Sequence, residues 1–193
     1  MTTPPHPAVA RLLIFTESEK HYGTAVVCRD ASGRKAILTC AHLFPPAGFV
    51  SAKLLFPDCQ PVTAILSAAD RLFDLAVLTA EFYPLDTADA IPLAAASPPI
   101  GAPLTFPGYG MTGVYTLHRG VLTHYTTLPA HAGDNFLLAA GTASPGDSGT
   151  PILTAAGELA GILWGADETS IIGTGLEKIR GIMDKAASPA ILR

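Results

Sequence analysis

Ser148 stands in a stretch that is rich in turn-forming residues, TASPGDSGTPIL. Pro145, Gly146, Asp147 and Gly149 surround it, and an apolar run follows directly. The stretch is either a polar turn between two strands or a loop that presents Ser148 as a nucleophile. Because a serine hydroxyl is a weak nucleophile at neutral pH, the second interpretation requires a nearby base and donors for an oxyanion.

The order of the histidines limits which base could serve Ser148. All six histidines precede it, which excludes the α/β-hydrolase arrangement, where the histidine follows the serine. His42 is the best candidate, because it follows the apolar run AILTCA and precedes a loop; taken alone, it would more often be a partly buried structural histidine. An aspartate that orients the imidazole is expected at Asp74, which opens DLAVL, with Asp70 as the alternative.

The composition is that of a chain that can bury a large core. Of the 193 residues, 49% are hydrophobic and 15% are charged, and the formal net charge is −4 without a basic run. We expect a folded chain with neither nucleic acid nor a membrane as a partner. No segment approaches the ~18 apolar residues that a membrane-spanning helix needs. The N-terminal stretch lacks the basic start and long apolar run of a secretory signal.

The three cysteines, Cys28, Cys40 and Cys59, are an odd number without metal-type spacing. Cys28 and Cys40 end the β-like runs TAVVC and AILTC, which favours buried reduced thiols over a disulfide. We therefore expect a cytoplasmic protein, and no motif predicts a metal ion or another cofactor.

Short β-rich runs, separated by Gly, Pro and Asp turn residues, recur along the chain. The runs are VARLLIF, GTAVVC, KAILTC, AKLLF, VTAIL, DLAVL, GVYTL, GVLTHY, NFLLAA, TPILT, LAGILW and TSIIGTG. Only LEKIRGIMDKAA has helical spacing, with Ile179, Ile182, Met183 and Ala186 on one face. The sequence predicts an all-β protein of two small barrels with a C-terminal helix. The predicted units are an N-terminal barrel (1–85), a Pro/Ala-rich linker (86–100), a C-terminal barrel (101–175), and a helix with its tail (176–193).

Ordered motifs over most of the chain resemble those of the trypsin/chymotrypsin-like serine protease family. ILTCAH resembles the family's LTAAH, DLAVL its DIALL, GDSGTP its GDSGGP, GILWG its GIVSWG, and PGYG its SGWG. The resemblance implies two six-stranded antiparallel β-barrels of the chymotrypsin type, with the active site between them. It implies that Ser148 attacks, that His42 takes its proton, and that Asp74 holds His42. The backbone N–H groups of Gly146 and Ser148 would form the oxyanion hole.

The same resemblance implies a substrate site. Its residues would be Thr142, Ala143, Leu163, Trp164 and Gly165. Thr142 falls where trypsin has an aspartate, so a preference for Arg or Lys before the scissile bond (the P1 position) is not implied. We expect a small or medium uncharged P1 residue, unless Asp167 or Glu168 reaches the rim of the pocket.

The chain also departs from the family pattern. It has no IVGG-like segment whose freed N-terminus could pair with Asp147, so this carboxylate needs another partner. His21, in EKHYGTA, matches a family histidine that pairs with this aspartate in inactive precursors. The hypothesis is that His21 contacts Asp147; the alternative is a surface histidine. Leu163 stands where a serine normally bonds the catalytic aspartate, so Asp74 is expected to have fewer or different hydrogen bonds.

The predicted function is that of an intracellular serine endopeptidase, which cleaves protein or peptide substrates through an acyl-enzyme intermediate. One alternative is a pseudoprotease that binds peptides in the same cleft. Another is a latent protease that an activating partner or ligand switches on. Relatives of this kind act in bacterial stress or defence modules and in viral polyprotein processing.

Overall fold

The computed structural model describes residues 3–16, 19–45, 51–80, 89–128 and 135–187, and strands dominate these ranges. The strands are β1 (Val9–Phe15), β2 (Lys20–Arg29), β3 (Lys35–Thr39), β4 (Ser51–Leu55), β5 (Val62–Asp70), β6 (Leu75–Ala80), β7 (Ile91–Pro92), β8 (Pro103–Gly108), β9 (Thr116–Thr126), β10 (Phe136–Ala140), β11 (Pro151–Thr154), β12 (Leu159–Ala166) and β13 (Ser170–Gly175). A 3₁₀ turn (Ala41–Leu43) follows β3, and one helix, α1 (Leu176–Ala187), follows β13.

The strands form two barrels, the first from β1 to β6 and the second from β8 to β13. In the first, the order is β1-β4-β5-β6-β3-β2, and β2 pairs back with β1 to close the barrel. In the second, β10-β13-β12-β11-β8-β9 form a closed barrel. Neighbouring strands within both barrels are antiparallel, and closure leaves few free sheet edges. The predicted fold class, two six-stranded antiparallel barrels with a C-terminal helix, is confirmed.

The helix α1 packs mainly against β5 and β6 of the first barrel, and it also contacts β12 and β13 of the second. Its apolar face carries Ile179, Ile182 and Met183, all buried in the core of the first barrel, as the spacing predicted. The Sγ atom of Cys28 in β2 lies 3.9 Å from the Sδ atom of Met183, so the helix contacts that strand directly. In the described part of the chain, no helix combines the length and the apolar character needed to cross a membrane.

The structure differs from the predicted elements at three places. The strand β8 was not predicted, because Pro103 and Pro107 lower the strand propensity of PLTFPG. The end of GVYTL (Thr116 and Leu117) and the run GVLTHY belong to one long strand, β9, since pairing with β8 continues through the polar residues between them and pairing with β10 follows. Within the predicted linker, Ile91–Pro92 form the short strand β7, which pairs in parallel with β2.

The loop that carries Ser148 is joined to the first barrel by a backbone hydrogen bond. The N–H of Thr24 in β2 donates to the carbonyl of Ser148 at 2.8 Å. The next residue, Gly149, has φ +90°, and a Cβ atom placed there would lie 1.9 Å from the carbonyl oxygen of Thr24. Glycine at 149 is therefore required both by its conformation and by the close approach of β2.

Replacing Gly149 by alanine is expected to destabilise the protein far more than the same change at Gly157. Both glycines have positive φ, which costs a side chain about 1–2 kcal/mol. Only Gly149 meets a backbone atom, since nothing lies within 4 Å of a Cβ atom at Gly157. Urea unfolding of Gly149→Ala and Gly157→Ala measures the difference. Equal losses in the free energy of unfolding would show that the contact with β2 is not a constraint.

Candidate active site

Two neighbouring strands bring His42 and Asp74 together. Strand β3 runs antiparallel to β6, with Thr39 opposite Ala76, so that the end of β3 lies beside the beginning of β6. His42 follows β3 in the 3₁₀ turn, and Asp74 immediately precedes β6. The backbone N–H of Ala41 donates to the carbonyl of Asp74 at 3.3 Å, which ties the two segments together.

The side chains of His42 and Asp74 form a two-point contact. The His42 ring donates from Nδ1 to Oδ2 of Asp74 at 2.5 Å, and the backbone N–H of His42 donates to Oδ1 at 2.7 Å. The Asp74 side chain is 17% exposed, whereas that of His42 is 45% exposed. The carboxylate thus fixes one edge of the imidazole and leaves the other edge accessible, which suits a general base.

Asp74 adopts a left-handed backbone conformation, with φ +52°. Residues other than glycine are rarely found there, although aspartate tolerates it better than most. Such strain persists only where the surrounding structure enforces it, and it is concentrated at functional sites. The conformation places the Asp74 carbonyl toward Ala41 while the carboxylate meets His42.

Arg71 was not singled out in the sequence, where its only signal is its position three residues before Asp74. Its guanidinium donates to the carbonyls of Phe44 at 3.1 Å and Pro45 at 3.0 Å. These bonds clamp the segment that follows His42 onto the loop that precedes Asp74. Arg71 therefore helps to hold the base and its partner in register.

Ser148 occupies a tight turn between two glycines with positive φ, Gly146 at +93° and Gly149 at +90°. A Cβ atom at Gly146 would lie 2.3 Å from the backbone nitrogen of Met111, so only glycine fits there. The two glycines give the turn the sharp shape that presents the hydroxyl of Ser148.

The backbone N–H groups of Gly146 and Ser148 have no hydrogen-bond partner among the described residues. Those of Asp147, Gly149 and Thr150 are all hydrogen-bonded within the protein. The two unpaired donors are the ones that the sequence predicted for an oxyanion hole. The turn thus leaves two N–H groups available to an external acceptor.

Asp147 is buried, at 3% exposure, and is held by backbone donors instead of a cation. Its Oδ1 accepts from the N–H of Gly110 at 3.0 Å, and its Oδ2 accepts from the N–H of Ser144 at 2.8 Å. These bonds give each oxygen of the buried carboxylate a directional donor in place of a counter-ion. The hydrogen bonds close the loop on itself and onto the segment that follows β8.

The predicted contact between His21 and Asp147 is not formed. The Nε2 atom of His21 instead lies 3.5 Å from the Oε2 atom of Glu19, near the start of β2. In the described ranges, no ion pair within 4.0 Å joins His21 to Asp147. Sequence reasoning could not find the partners of Asp147, because they are backbone groups that any residue type provides.

A cavity of about 230 Å³ opens beside Ser148. Four of the five predicted substrate-binding residues line it: Ala143, Leu163, Trp164 and Gly165. The fifth, Thr142, is exposed and lies outside the lining. No described residue of the lining is charged, and Asp167 uses its Oδ1 to accept from the backbone of Thr169 and Ser170 instead.

Leu163 takes part in the site with its backbone, while its side chain is buried. Its side chain is 3% exposed and packs in the core of the second barrel with Phe106 and Ile152. Its N–H donates to the carbonyl of Thr150 at 2.9 Å, and its carbonyl accepts from the N–H of Gly149 at 2.8 Å. Because β11 pairs with β12 only as far as residue 162, the open edge of β12 begins after Leu163.

A second, more apolar cavity of about 580 Å³ lies beside His42 and Asp74. Its apolar lining includes Leu72, Leu128, Phe136, Trp164 and Ile172. Trp164 lines both cavities and packs edge-on against Phe136, with ring centroids 5.9 Å apart. The indole therefore borders both the space beside Ser148 and the space beside His42.

Comparisons with known proteins agree with this fold. A family model of the trypsin-like peptidase domain matches residues 23–162. The chain belongs to the trypsin-like peptidases. A comparison with curated proteins finds no match.

Solved structures of proteases share the fold of this trypsin-like peptidase. The Rv3671c protease of M. tuberculosis, in its active form, has a TM-score of 0.81 at 18% identity, over 97% of this chain and 84% of that one. Its inactive form has a TM-score of 0.74 at 21% identity, over 95% and 90%. The serine endoprotease of Yersinia pestis has a TM-score of 0.77 at 23% identity, over 94% and 63%.

In the described part of the peptidase, three side chains that could ligate a metal ion come together: Cys40, His42 and Asp74, whose candidate ligand atoms lie within 4.8 Å of one another. The Nδ1 atom of His42 is already bonded to Asp74. Burial, and secondarily the charge of Asp74, raise the pKa of Cys40 well above its ordinary value, which disfavours the thiolate that a metal ion requires. The cluster suits hydrogen bonding better than metal binding.

Replacing Asp147 by asparagine is expected to lower the free energy of unfolding by about 1–3 kcal/mol, because the amide would turn a donor toward one of two buried backbone donors. Asp167→Asn is the matched control. Asp167 is exposed, and one oxygen accepts both of its backbone bonds, so asparagine can keep them. Urea unfolding compares the two variants. An Asp147→Asn loss no larger than that of Asp167→Asn would contradict the role given to the buried carboxylate.

Proposed function

We propose that this peptidase is an intracellular serine endopeptidase in which Ser148, His42 and Asp74 form a catalytic triad. The observation that carries the proposal is the hydrogen bond from Nδ1 of His42 to Asp74, which leaves the other edge of the ring accessible. Ser148 stands on a sharp turn of the other barrel, which β2 holds against the first barrel. Base and nucleophile therefore come from separate barrels, and Trp164 lines the cavities beside both.

Each member of the triad has a separate role. Asp74 holds the imidazole in the tautomer whose Nε2 can accept a proton, and it stabilises the imidazolium that then forms. Ser148 attacks the scissile carbonyl as its proton passes to His42, which later protonates the leaving amine. Water then attacks the acyl-enzyme by the same route, with His42 again as the base.

The unpaired N–H groups of Gly146 and Ser148 support an oxyanion hole. As the carbonyl carbon becomes tetrahedral, its oxygen gains negative charge and needs donors that are already in place. A donor of this kind is typically worth about 2.7–4 kcal/mol of barrier. The positive φ of Gly146 gives the turn the shape that keeps its N–H out of the internal hydrogen bonds.

The substrate would bind as an additional strand along the open edge of β12, beyond Leu163. The uncharged cavity beside Ser148 would then receive the P1 side chain. Its small lining residues, Ala143 and Gly165, favour a small or medium uncharged group. A cationic side chain would find no opposite charge in this lining to offset the cost of its desolvation.

The hydrogen bonds of Asp147 favour an enzyme that is active as folded over a latent one. In the family pattern, a freed N-terminal ammonium pairs with this aspartate and shapes the oxyanion loop. Here the N–H groups of Gly110 and Ser144 satisfy the carboxylate. The loop can therefore keep its shape without cleavage of the chain or an activating partner.

The cytoplasmic location is supported by the cysteines. Cys28, Cys40 and Cys59 are all free thiols, and the first two are buried. Free thiols are typical of a reducing compartment. Fractionation of cells that express the tagged chain tests the location, and recovery outside the cytoplasm would contradict it.

Labelling with a fluorophosphonate probe tests the triad. Wild type should be labelled, whereas Ser148→Ala should not be labelled at all and His42→Ala should react far more slowly. Loss of a triad nucleophile can lower turnover by about 10⁶-fold. His124→Ala is the matched control, because His124 is an exposed residue of β9, and it should label like wild type.

Each other outcome of the labelling has a distinct meaning. Equal labelling of wild type and Ser148→Ala would refute the assignment of the nucleophile. Absence of labelling in a folded wild type would favour a latent protease or a pseudoprotease that only binds peptides.

A peptide library should show cleavage after small or medium uncharged residues and none after Arg or Lys. Ala143→Val narrows the cavity beside Ser148, so it should lower kcat/KM for P1 Leu about tenfold more than for P1 Ala, the usual size of a methylene-scale steric effect. Ala31→Val, in the exposed turn after β2, is the control and should leave kcat/KM unchanged for both P1 Leu and P1 Ala. A P1 profile dominated by Arg or Lys would refute the preference.

A further inference from the structure

The buried thiol of Cys40 lies beside the pair of His42 and Asp74. Cys40 has no exposed surface, ends the segment that contains β3, and directly precedes the turn that carries His42. Its Sγ, a ring nitrogen of His42 and a carboxylate oxygen of Asp74 lie within 4.8 Å of one another. The environment of the carboxylate therefore includes the thiol as well as the imidazole.

The thiol also reaches the second barrel. Its Sγ donates to the carbonyl oxygen of Leu163 at 3.1 Å, and the same oxygen accepts from the N–H of Gly149, next to Ser148. The one S–H proton donates to the carbonyl of Leu163, and the carboxylate of Asp74 is a second possible acceptor within 4.8 Å of the sulfur. Cys40 lies where the aspartate of one barrel meets the nucleophile loop of the other.

The protonation state of Cys40 suits a donor. Burial raises the pKa of the thiol well above its ordinary value, and the negative charge of Asp74 raises it further. A thiolate at this distance from a carboxylate would place two like charges in a dry environment, at high cost. Cys40 is therefore a neutral S–H group, neither a nucleophile nor a metal ligand.

Asp74 lacks the donor that the sequence pattern would lead one to expect. Leu163, which stands where the resemblance places a serine, turns its side chain into the core of the second barrel. The two oxygens of Asp74 each accept one bond from His42, and they retain further lone pairs in a largely buried place. A neighbouring S–H group is what the described residues offer there.

We propose that Cys40 is a positioning residue of the triad: its one S–H proton is shared between the carbonyl of Leu163 and the carboxylate of Asp74, and so holds that carboxylate toward His42. The proposal rests on the proposed endopeptidase function, because it assigns Cys40 a task within that triad. The hydrogen bond that Cys40 supports, between His42 and Asp74, can nevertheless be observed without any turnover.

Two kinds of substitution separate the donor from the packing. Cys40→Val removes the S–H group and fills its space, and Cys40→Ser keeps a donor. Cys28→Val is the matched control, because Cys28 is also fully buried in the first barrel but contacts Met183. Cys40→Ala carries the same expectation as Cys40→Val and provides a second variant with less steric demand.

Kinetics on a peptide substrate give the first readout. Cys40→Val should lower kcat about five- to tenfold with KM unchanged, the effect of one lost hydrogen bond on a group that does not touch substrate. Cys40→Ser should restore kcat to within about twofold of wild type, because a hydroxyl is at least as good a donor. Cys28→Val should leave both constants unchanged.

Proton NMR gives the second readout, because the proton that Nδ1 of His42 donates to Asp74 resonates at low field. The resonance should be shifted or broadened in Cys40→Val and Cys40→Ala, and should stay in place in Cys40→Ser and Cys28→Val. Unchanged kcat and an unchanged resonance in Cys40→Val would overturn the proposal. Equal losses in Cys28→Val and Cys40→Val would overturn it too, since they would mean a packing effect.

The failure of the endopeptidase function has a different signature. A wild type that neither labels nor cleaves peptides, but whose low-field resonance responds to Cys40 as described, would refute the function and retain the role of Cys40. Normal turnover in wild type and Cys40→Val alike would retain the function and refute the role of Cys40.

Discussion

The site depends on the contact between the two barrels, where β2 meets the turn that carries Ser148. Neither barrel holds all of the reacting groups, so this contact must keep them in place. The backbone of Thr24 bonds to Ser148, and the close contact of β2 with Gly149 leaves no room for a side chain. The carbonyl of Leu163 lies at the same contact, where it accepts hydrogen bonds from the N–H of Gly149 and the S–H of Cys40. A buried donor or acceptor that loses its partner costs about 1–3 kcal/mol, so these bonds keep the barrels in one register.

Two carboxylates in this site are held by hydrogen bonds from N–H groups and not by ion pairs with lysine or arginine. Asp74 receives a ring N–H and a backbone N–H from His42, and Asp147 receives two backbone N–H groups from Gly110 and Ser144. Bonds of this kind hold a carboxylate by direction as well as by charge. In one case the result is an oriented base, and in the other it is a closed loop that leaves the N–H of Ser148 free. The same chemistry thus orders both halves of the site.

Local sequence signals predicted most of the fold, and the exceptions have physical causes. Runs of alternating or continuous apolar residues marked most strands, because burial on a sheet face selects those residue types. The strand β8 was not predicted because Pro103 and Pro107 lack an N–H, yet its pairing with β9 includes both prolines. The short strand β7, with Ile91, was hidden in a Pro/Ala-rich segment, since two residues carry no periodicity.

The sequence by itself determined which chemical groups are present and in what order: a histidine after one strand, an aspartate before a later strand, and a serine between glycines further along the chain. These signals are local, because turn chemistry and strand periodicity depend on neighbouring residues. Only the tertiary structure decided the partners of those groups. Asp147 accepts hydrogen bonds from two backbone N–H groups and not from His21. The side chain of Leu163 is buried in the core of the second barrel, and Cys40 lies beside Asp74. Most of these contacts join residues far apart in the chain, and backbone donors, including the nearby N–H of Ser144, have no side-chain signature from which they could be predicted.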